Sequence, residues 1–172
     1  MKAPFFVLLF VTSYARDSEM PRTIRAQHTI DWCVHGCQYA MSIGDQEIGK
    51  LNSIQIPILH WCVLYDFFIQ PAYRGQGHGH FLFSHAVNQA EKSGASKIFV
   101  QPGPFELVAG KYTSVKGVQR KIALNRLIRF YESHQFALMS GMKLRCVSFF
   151  LGIVYRLANI DEDPCLLMVH RS

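Results

Sequence analysis

Apolar and polar positions along this chain change period several times, and each change marks an element. Thr29–Ile43 and Gln46–Ile56 are two β-rich runs separated by Gly44-Asp45, a turn signal of the hairpin kind. Ile48, Leu51, Ile54 and Ile56 give the second run its apolar surface, although their alternation is imperfect. Pro57 ends that strand, because proline cannot donate to a central ladder. His60–Ile69 is the next strand, apolar enough to be buried on both faces. From Gln76 to Ser93 the spacing changes to threes and fours (Phe81, Leu82, His85, Ala86, Gln89), which predicts a helix. Gly94 is placed to stop it. Lys97–Val100 is then a short strand running parallel to His60–Ile69, since a helix crossover joins them.

Beyond Val100 the pattern loosens. Gln101–Gln119, with Pro102-Gly103-Pro104, reads as a loop longer than a minimal fold needs, and such loops are often functional. Arg120–His134 is the second helix, with cations in its first turn where the helix dipole disfavours them. Cys146–Leu157 fits strand or helix equally, and Ile160–Pro164 is a turn before the last apolar run, Cys165–Val169. Near the N-terminus, Phe5–Val11 is apolar and follows Met1-Lys2, with Ser13-Tyr14-Ala15 behind it. Three readings stand there: a first β-strand, a secretory signal, or an upstream extension if translation starts at Met20. The apolar run is too short to span a membrane as a helix. Residues 1–19 are thus an N-terminal extension, a first strand or a signal-like segment, and residues 20–172 the folded domain. The expected class is α/β, a single domain with a mixed, twisted sheet flanked by helices.

Composition adds bounds. At 172 residues and 49% hydrophobic content the chain can bury a sizeable core. The net charge of +6 favours acidic partners, phosphorylated ligands among them, but no nucleic-acid motif accompanies it. Five cysteines (Cys33, Cys37, Cys62, Cys146, Cys165) are an odd number, which argues for reduced and mostly buried thiols. Cys33, His35 and Cys37, with His60 and Cys62, match no standard zinc spacing, so no metal site is expected.

The densest chemistry lies in Arg74-Gly75-Gln76-Gly77-His78-Gly79, between a buried strand and a helix. Glycines let a ligand approach the backbone closely, and a helix N-terminus offers N–H groups and a positive dipole end to a phosphate. Arg74 adds a fixed charge, so the loop reads as a pyrophosphate cradle. A Walker loop is excluded because no Lys-Ser/Thr follows Gly79. The dinucleotide loop is excluded by the Gly75-x-Gly77-x-Gly79 spacing and the mid-chain position. Within the loop, His78 and His80 are expected to have a loop-surface role.

Arg74, Gly77 and Gly79 match Gln/Arg-x-x-Gly-x-Gly/Ala, and this loop resembles the acetyl-CoA pyrophosphate loop of the GNAT N-acetyltransferase family. Ile69-Gln70-Pro71-Ala72-Tyr73 is similar to the family's Val-x-Pro-x-Tyr lead-in, and Asp66–Ile69 resembles a strand of the diamine acetyltransferases. Phe130-Tyr131-Glu132-Ser133-His134-Gln135-Phe136 is similar to the second signature, Phe-Tyr-Glu-x-x-Gly-Phe, with Gln135 in place of glycine. The resemblance covers roughly residues 30–140 and implies a GNAT-like acyl-CoA N-acyltransferase fold.

It also implies transfer of an acetyl group from acetyl-CoA to a primary amine. Arg74, Gly75, Gln76, Gly77, His78 and Gly79 would hold the pyrophosphate, and the backbone of Phe67, Phe68 and Ile69 would run beside the pantetheine. Tyr131 would protonate the departing CoA thiolate, and Asn125 would touch the cofactor. The general base is not matched: Tyr65 stands where diamine acetyltransferases have glutamate. Asp66 is the adjacent candidate, although strand alternation turns it away from Tyr65; water, or Glu106 in the long loop, are the others. Trp61 and Tyr65 would suit an apolar or cationic part of the acceptor. That acceptor is a small molecule, a protein or RNA, the state a monomer or homodimer, and the location cytoplasmic. Two further readings are a non-catalytic acyl-CoA-binding regulatory module, and a secreted binding protein if residues 1–15 are a signal.

Overall fold

A computed structural model describes residues 7–12, 21–30, 34–108, 111–114, 117–157 and 167–170. The chain divides into two compact units, Met1–Ile98 and Phe99–Ser172.

The first unit is built on antiparallel strands in chain order. They are β1 (Val7–Thr12), β2 (Arg22–Ile30), β3 (His35–Ile43), β4 (Gln46–Ile56) and β5 (Trp61–Ile69). The expected run Thr29–Ile43 thus falls on two strands, Thr29 and Ile30 ending β2 and His35–Ile43 forming β3. Polar Arg22, Arg25 and Gln27 hid β2 from a hydrophobic reading, yet Ile24 and Ala26 alternate into the core. The Gly44-Asp45 turn joins Ile43 to its partner Gln46, with Gly44 at φ +57° in the first central position.

The imperfect alternation of β4 has a structural cause. Its register against β3 shifts between Met41 and Ser42, because Met41 faces Gly49 while Ser42 faces Glu47. Ile48 is the extra residue of a bulge. Ile48 and Leu51, three apart and out of step for a regular strand, are therefore both fully buried.

Helix α1 (His78–Lys92) lies against β4 and β5 and buries Leu82, Phe83, Ala86 and Ala90. It ends as the glycine predicted. Gly94 takes φ +85°, its N–H bonds to the Glu91 carbonyl, and the Ala95 N–H reaches back to Ala90. The chain then starts β6 (Lys97–Val100). The His60 carbonyl, just ahead of β5, accepts from the Ser96 and Lys97 N–H groups (2.7 and 3.2 Å). The helix crossover has brought β6 to the same end as the start of β5, which makes the sheet mixed.

In the second unit, Phe99 and Val100 pair antiparallel with β10 (Met168–His170), which also pairs with β9 (Phe136–Leu138). The stretch expected as a loop contains a hairpin, β7 (Phe105–Val108) with β8 (Lys111–Ser114). Prolines and glycine at 102–104 masked two strands too short to show a period. Helix α2 runs from Gly117 to Glu132, and the ambiguous apolar run is helical as part of α3 (Gly141–Leu157). The Ile160–Pro164 turn, Cys33 and Cys165 lie outside the described residues.

Candidate functional site

In the first unit, β5 delivers the chain to the glycine loop. The Gln70 N–H donates to the Ile48 carbonyl (2.8 Å), and Pro71–Tyr73 form one 3-10 turn. Tyr73 pins that turn to the β3–β4 hairpin through an Oη–H bond to Gln46 Oε1 (2.8 Å). Gly75 and Gly77 both sit at φ +78°, a conformation costly for other residues. A Cβ added at either would meet nothing within 4 Å. Their glycines are therefore a backbone requirement, and the space beside them is open.

Gly77 is the N-cap of α1 and supplies no side-chain cap, and the first turn has no acid to compete with an anion. Arg74 is placed by two contacts. Its Nε donates to the Ile69 carbonyl (2.8 Å), and its guanidinium lies 5.5 Å from the Phe68 ring centroid. That bond engages Nε and not the terminal Nη pair, which suits phosphate recognition. Arg74, Phe68 and Ile69, expected at one site, are thus brought together.

His78 departs from expectation. It is buried, 4% exposed, with its ring edge-on to Tyr73 at 6.1 Å. As the first residue of α1 it turns its imidazole into the protein, which leaves only its backbone to face the glycine loop. His80 is exposed, but on the first turn of α1 and not in the loop.

Strand β5 does not continue regularly into the loop. Asn52 faces Tyr65, but Lys50 faces Phe68, so Asp66 and Phe67 together oppose Leu51. Asp66 carries the bulge at φ +52°, a left-handed conformation that aspartate tolerates better than most residues. The strand alternation assumed for Asp66 and Tyr65 fails at this residue. Asn52 Nδ2 donates to Asp66 Oδ2 (3.0 Å), and Lys50 Nζ lies 3.3 Å from the same oxygen. Two residues of β4 therefore hold the carboxylate that carries the bulge. Neither was singled out in the sequence; their i, i+2 spacing on a strand was the available signal. The expected burial of β5 on both faces holds for Cys62–Leu64 and lapses from Tyr65 to Phe68, where the bulge opens the strand.

Close packing continues just before the bulge. A Cβ on Gly49 would lie 3.0 Å from the Phe68 carbonyl oxygen and closer still to Ile69 Cδ1. Gly49→Ala is expected to cost about 1–3 kcal/mol, read as a melting temperature several degrees lower.

In the second unit, Tyr131 is buried at 3% exposure, with its ring 5.3 Å from Phe130 and 6.4 Å from Phe136. Asn125, on the same helix, is exposed. Six residues along α2 turn the helix through about 240°, so the two do not share a face. Gln135, in the glycine position of the signature, adopts φ +66° all the same. The helix exit keeps its bonds, Ser133 N–H to Arg129 and Gln135 N–H to Glu132. A left-handed L-residue costs about 1–2 kcal/mol, and glycine returns about half of that through its unfolded-state entropy. Gln135→Gly should raise stability by about 0.5–1 kcal/mol, a melting shift of about 2 °C.

Burial pushes the Cys37 thiol up to about 11 and the Cys62 thiol up to about 12, so both are neutral. Cys146, expected with the buried thiols, is exposed. Its place on α3 explains this, on the face turned from Leu151 and Tyr155. Among the described residues no group of three or more His, Cys, Asp or Glu side chains is placed to hold a metal. No described helix is long and apolar enough to cross a membrane. Glu106 lies in β7, and its side chain is outside the described residues.

Residues 8–107 match the model of the acetyltransferase (GNAT) family. No curated protein matches the sequence. Among solved structures, a GNAT acetyltransferase from Staphylococcus aureus Mu50 superposes with TM-score 0.50 at 11% identity, over 78% of this chain and 66% of that one. A Klebsiella pneumoniae protein assigned to the acyl-CoA N-acyltransferases gives TM-score 0.50 at 13% identity, over 78% and 71%. N-acetylglutamate synthase from Neisseria gonorrhoeae, solved with coenzyme A and N-acetyl-glutamate, gives 0.49 at 13% identity, over 78% and 25%. The chain thus spans between a quarter and about seven tenths of these relatives' lengths. A glycine cradle at a helix N-terminus, a bulged strand leading into it, and a family match across more than half of the sequence agree: the chain belongs to the GNAT acetyltransferase family.

Proposed function

We propose that this protein transfers an acetyl group from acetyl-CoA to a primary amine. The observation that carries the reading is the Arg74–Gly79 loop, with Gly75 and Gly77 left-handed and an uncapped helix N-terminus behind them. Such a terminus favours a pyrophosphate, and Arg74 adds a directed charge. The bulge at Asp66 interrupts the β4–β5 ladder, and an amide-bearing pantetheine would pair with that edge like an added strand.

Tyr131 is proposed as the acid that protonates the thiolate, in the family manner, and Asn125 as a contact to the cofactor. The Asp66 carboxylate already accepts from Asn52 and faces Lys50. That supports a role in holding the bulge beside the reacting carbonyl; the amine's proton then leaves to water. The acceptor is a small molecule, a protein amine or RNA.

The test is thiol release from acetyl-CoA across a panel of amines. Turnover with at least one amine, absent without it, supports the proposal. Tight CoA binding without turnover on any amine would replace it with a non-catalytic acyl-CoA-binding module.

A further inference from the structure

Helix α3 has two apolar faces, one buried and one largely exposed. Leu151, Val154 and Tyr155 are buried. On the opposite side Met142 (80% exposed), Cys146, Phe149 (74%) and Ile153 (44%) follow one another at spacings of four, three and four, with Phe150 beside them. At about 100° per residue these side chains form one continuous stripe. Exposed cations border it on both edges, Arg145 and Arg156 on one and Lys143 on the other. No acid occurs on α3, and from Gly117 to Leu157 seven Lys or Arg stand against the single acid Glu132.

We propose that this face binds the surface of an anionic phospholipid bilayer. The aromatic and aliphatic stripe enters the boundary between headgroups and acyl chains, while the three flanking cations reach lipid phosphates. Charge complementarity selects this occupant over a second copy of the chain. Both edges of the stripe are cationic, so pairing it with itself would oppose cations to cations with no carboxylate on the helix to relieve them. The helix is not long and apolar enough to span a bilayer, so it lies in the interface.

Cosedimentation of the full chain tests this, with vesicles of phosphatidylcholine alone and of phosphatidylcholine mixed with phosphatidylserine. The wild type should pellet only with the serine lipid, and less so as salt rises. Phe149→Ser should weaken partitioning about tenfold or more, and Arg145→Ala with Arg156→Ala about fivefold per cation. Phe149 and Met142 are exposed, so Phe149→Ser, or Met142→Ser as a second choice, should leave the melting temperature unchanged. Equal pelleting on both vesicle types, no pelleting at all, or variants that pellet like wild type would overturn the proposal. A wild-type dimer that Phe149→Ser converts to monomer, without vesicle binding, would assign the face to a second copy instead.

Discussion

Tyr131→Phe is expected to slow thiol release from acetyl-CoA by ~10²–10⁴-fold while leaving CoA affinity and the fold in place. Collapse of the tetrahedral intermediate expels a thiolate whose conjugate acid has a pKa of about 8.5. In the proposed mechanism the Tyr131 O–H would neutralise that charge as it forms, and its loss would correspond to about 3–5 kcal/mol of barrier. The phenyl ring that packs near Phe130 and Phe136 survives the substitution, so the buried surface of α2 is kept. A thiol that leaves unassisted at high pH should partly rescue the variant, and the gap between the two proteins should narrow as pH rises. Equal rates for the two proteins, at saturating acetyl-CoA and amine, would remove Tyr131 from the chemistry. Equal melting curves together with a lost rate would exclude a merely structural role.

Elements whose signal is local were readable from the sequence. Gly44-Asp45, Pro57 and Gly94 each impose a backbone geometry within a few residues, and the strands and helix they bound fall where expected. The geometry of the glycine loop was legible for the same reason, since Gly75 and Gly77 carry their conformational meaning alone. What depends on partners across the sheet was not. Asp66 reads as one residue of a regular strand; its left-handed turn depends on a register set by β4 and on the hold of Asn52 and Lys50. His78 reads as a loop residue until the chain folds it against Tyr73. Likewise α3 reads equally as strand or helix, because an apolar run shows little periodicity when both of its faces are apolar.

Gly77 offers the sharpest test of the proposed cradle, because two substitutions with similar effects on stability should differ in binding. Its φ of +78° is tolerated by asparagine and aspartate, and an added Cβ meets nothing within 4 Å. The left-handed backbone still strains any side chain and is not the extended geometry of an ordinary capping residue, so Gly77→Asn and Gly77→Asp should each lower the stability of α1 by about 1 kcal/mol, and to a similar extent. They have nearly the same size and differ by one charge. An aspartate at that cap competes for the N–H groups a pyrophosphate would use, and repels it as well. Two unit charges 4 Å apart interact by about 1 kcal/mol in water and about 4 kcal/mol near a protein surface. Gly77→Asp should therefore bind CoA at least about fivefold more weakly than Gly77→Asn, by calorimetric titration, while the two variants melt at similar temperatures without ligand. Added salt should shrink the difference between the two variants, since the excess is Coulombic. If both variants bind CoA equally, the phosphates lie elsewhere and α1 is not their anchor.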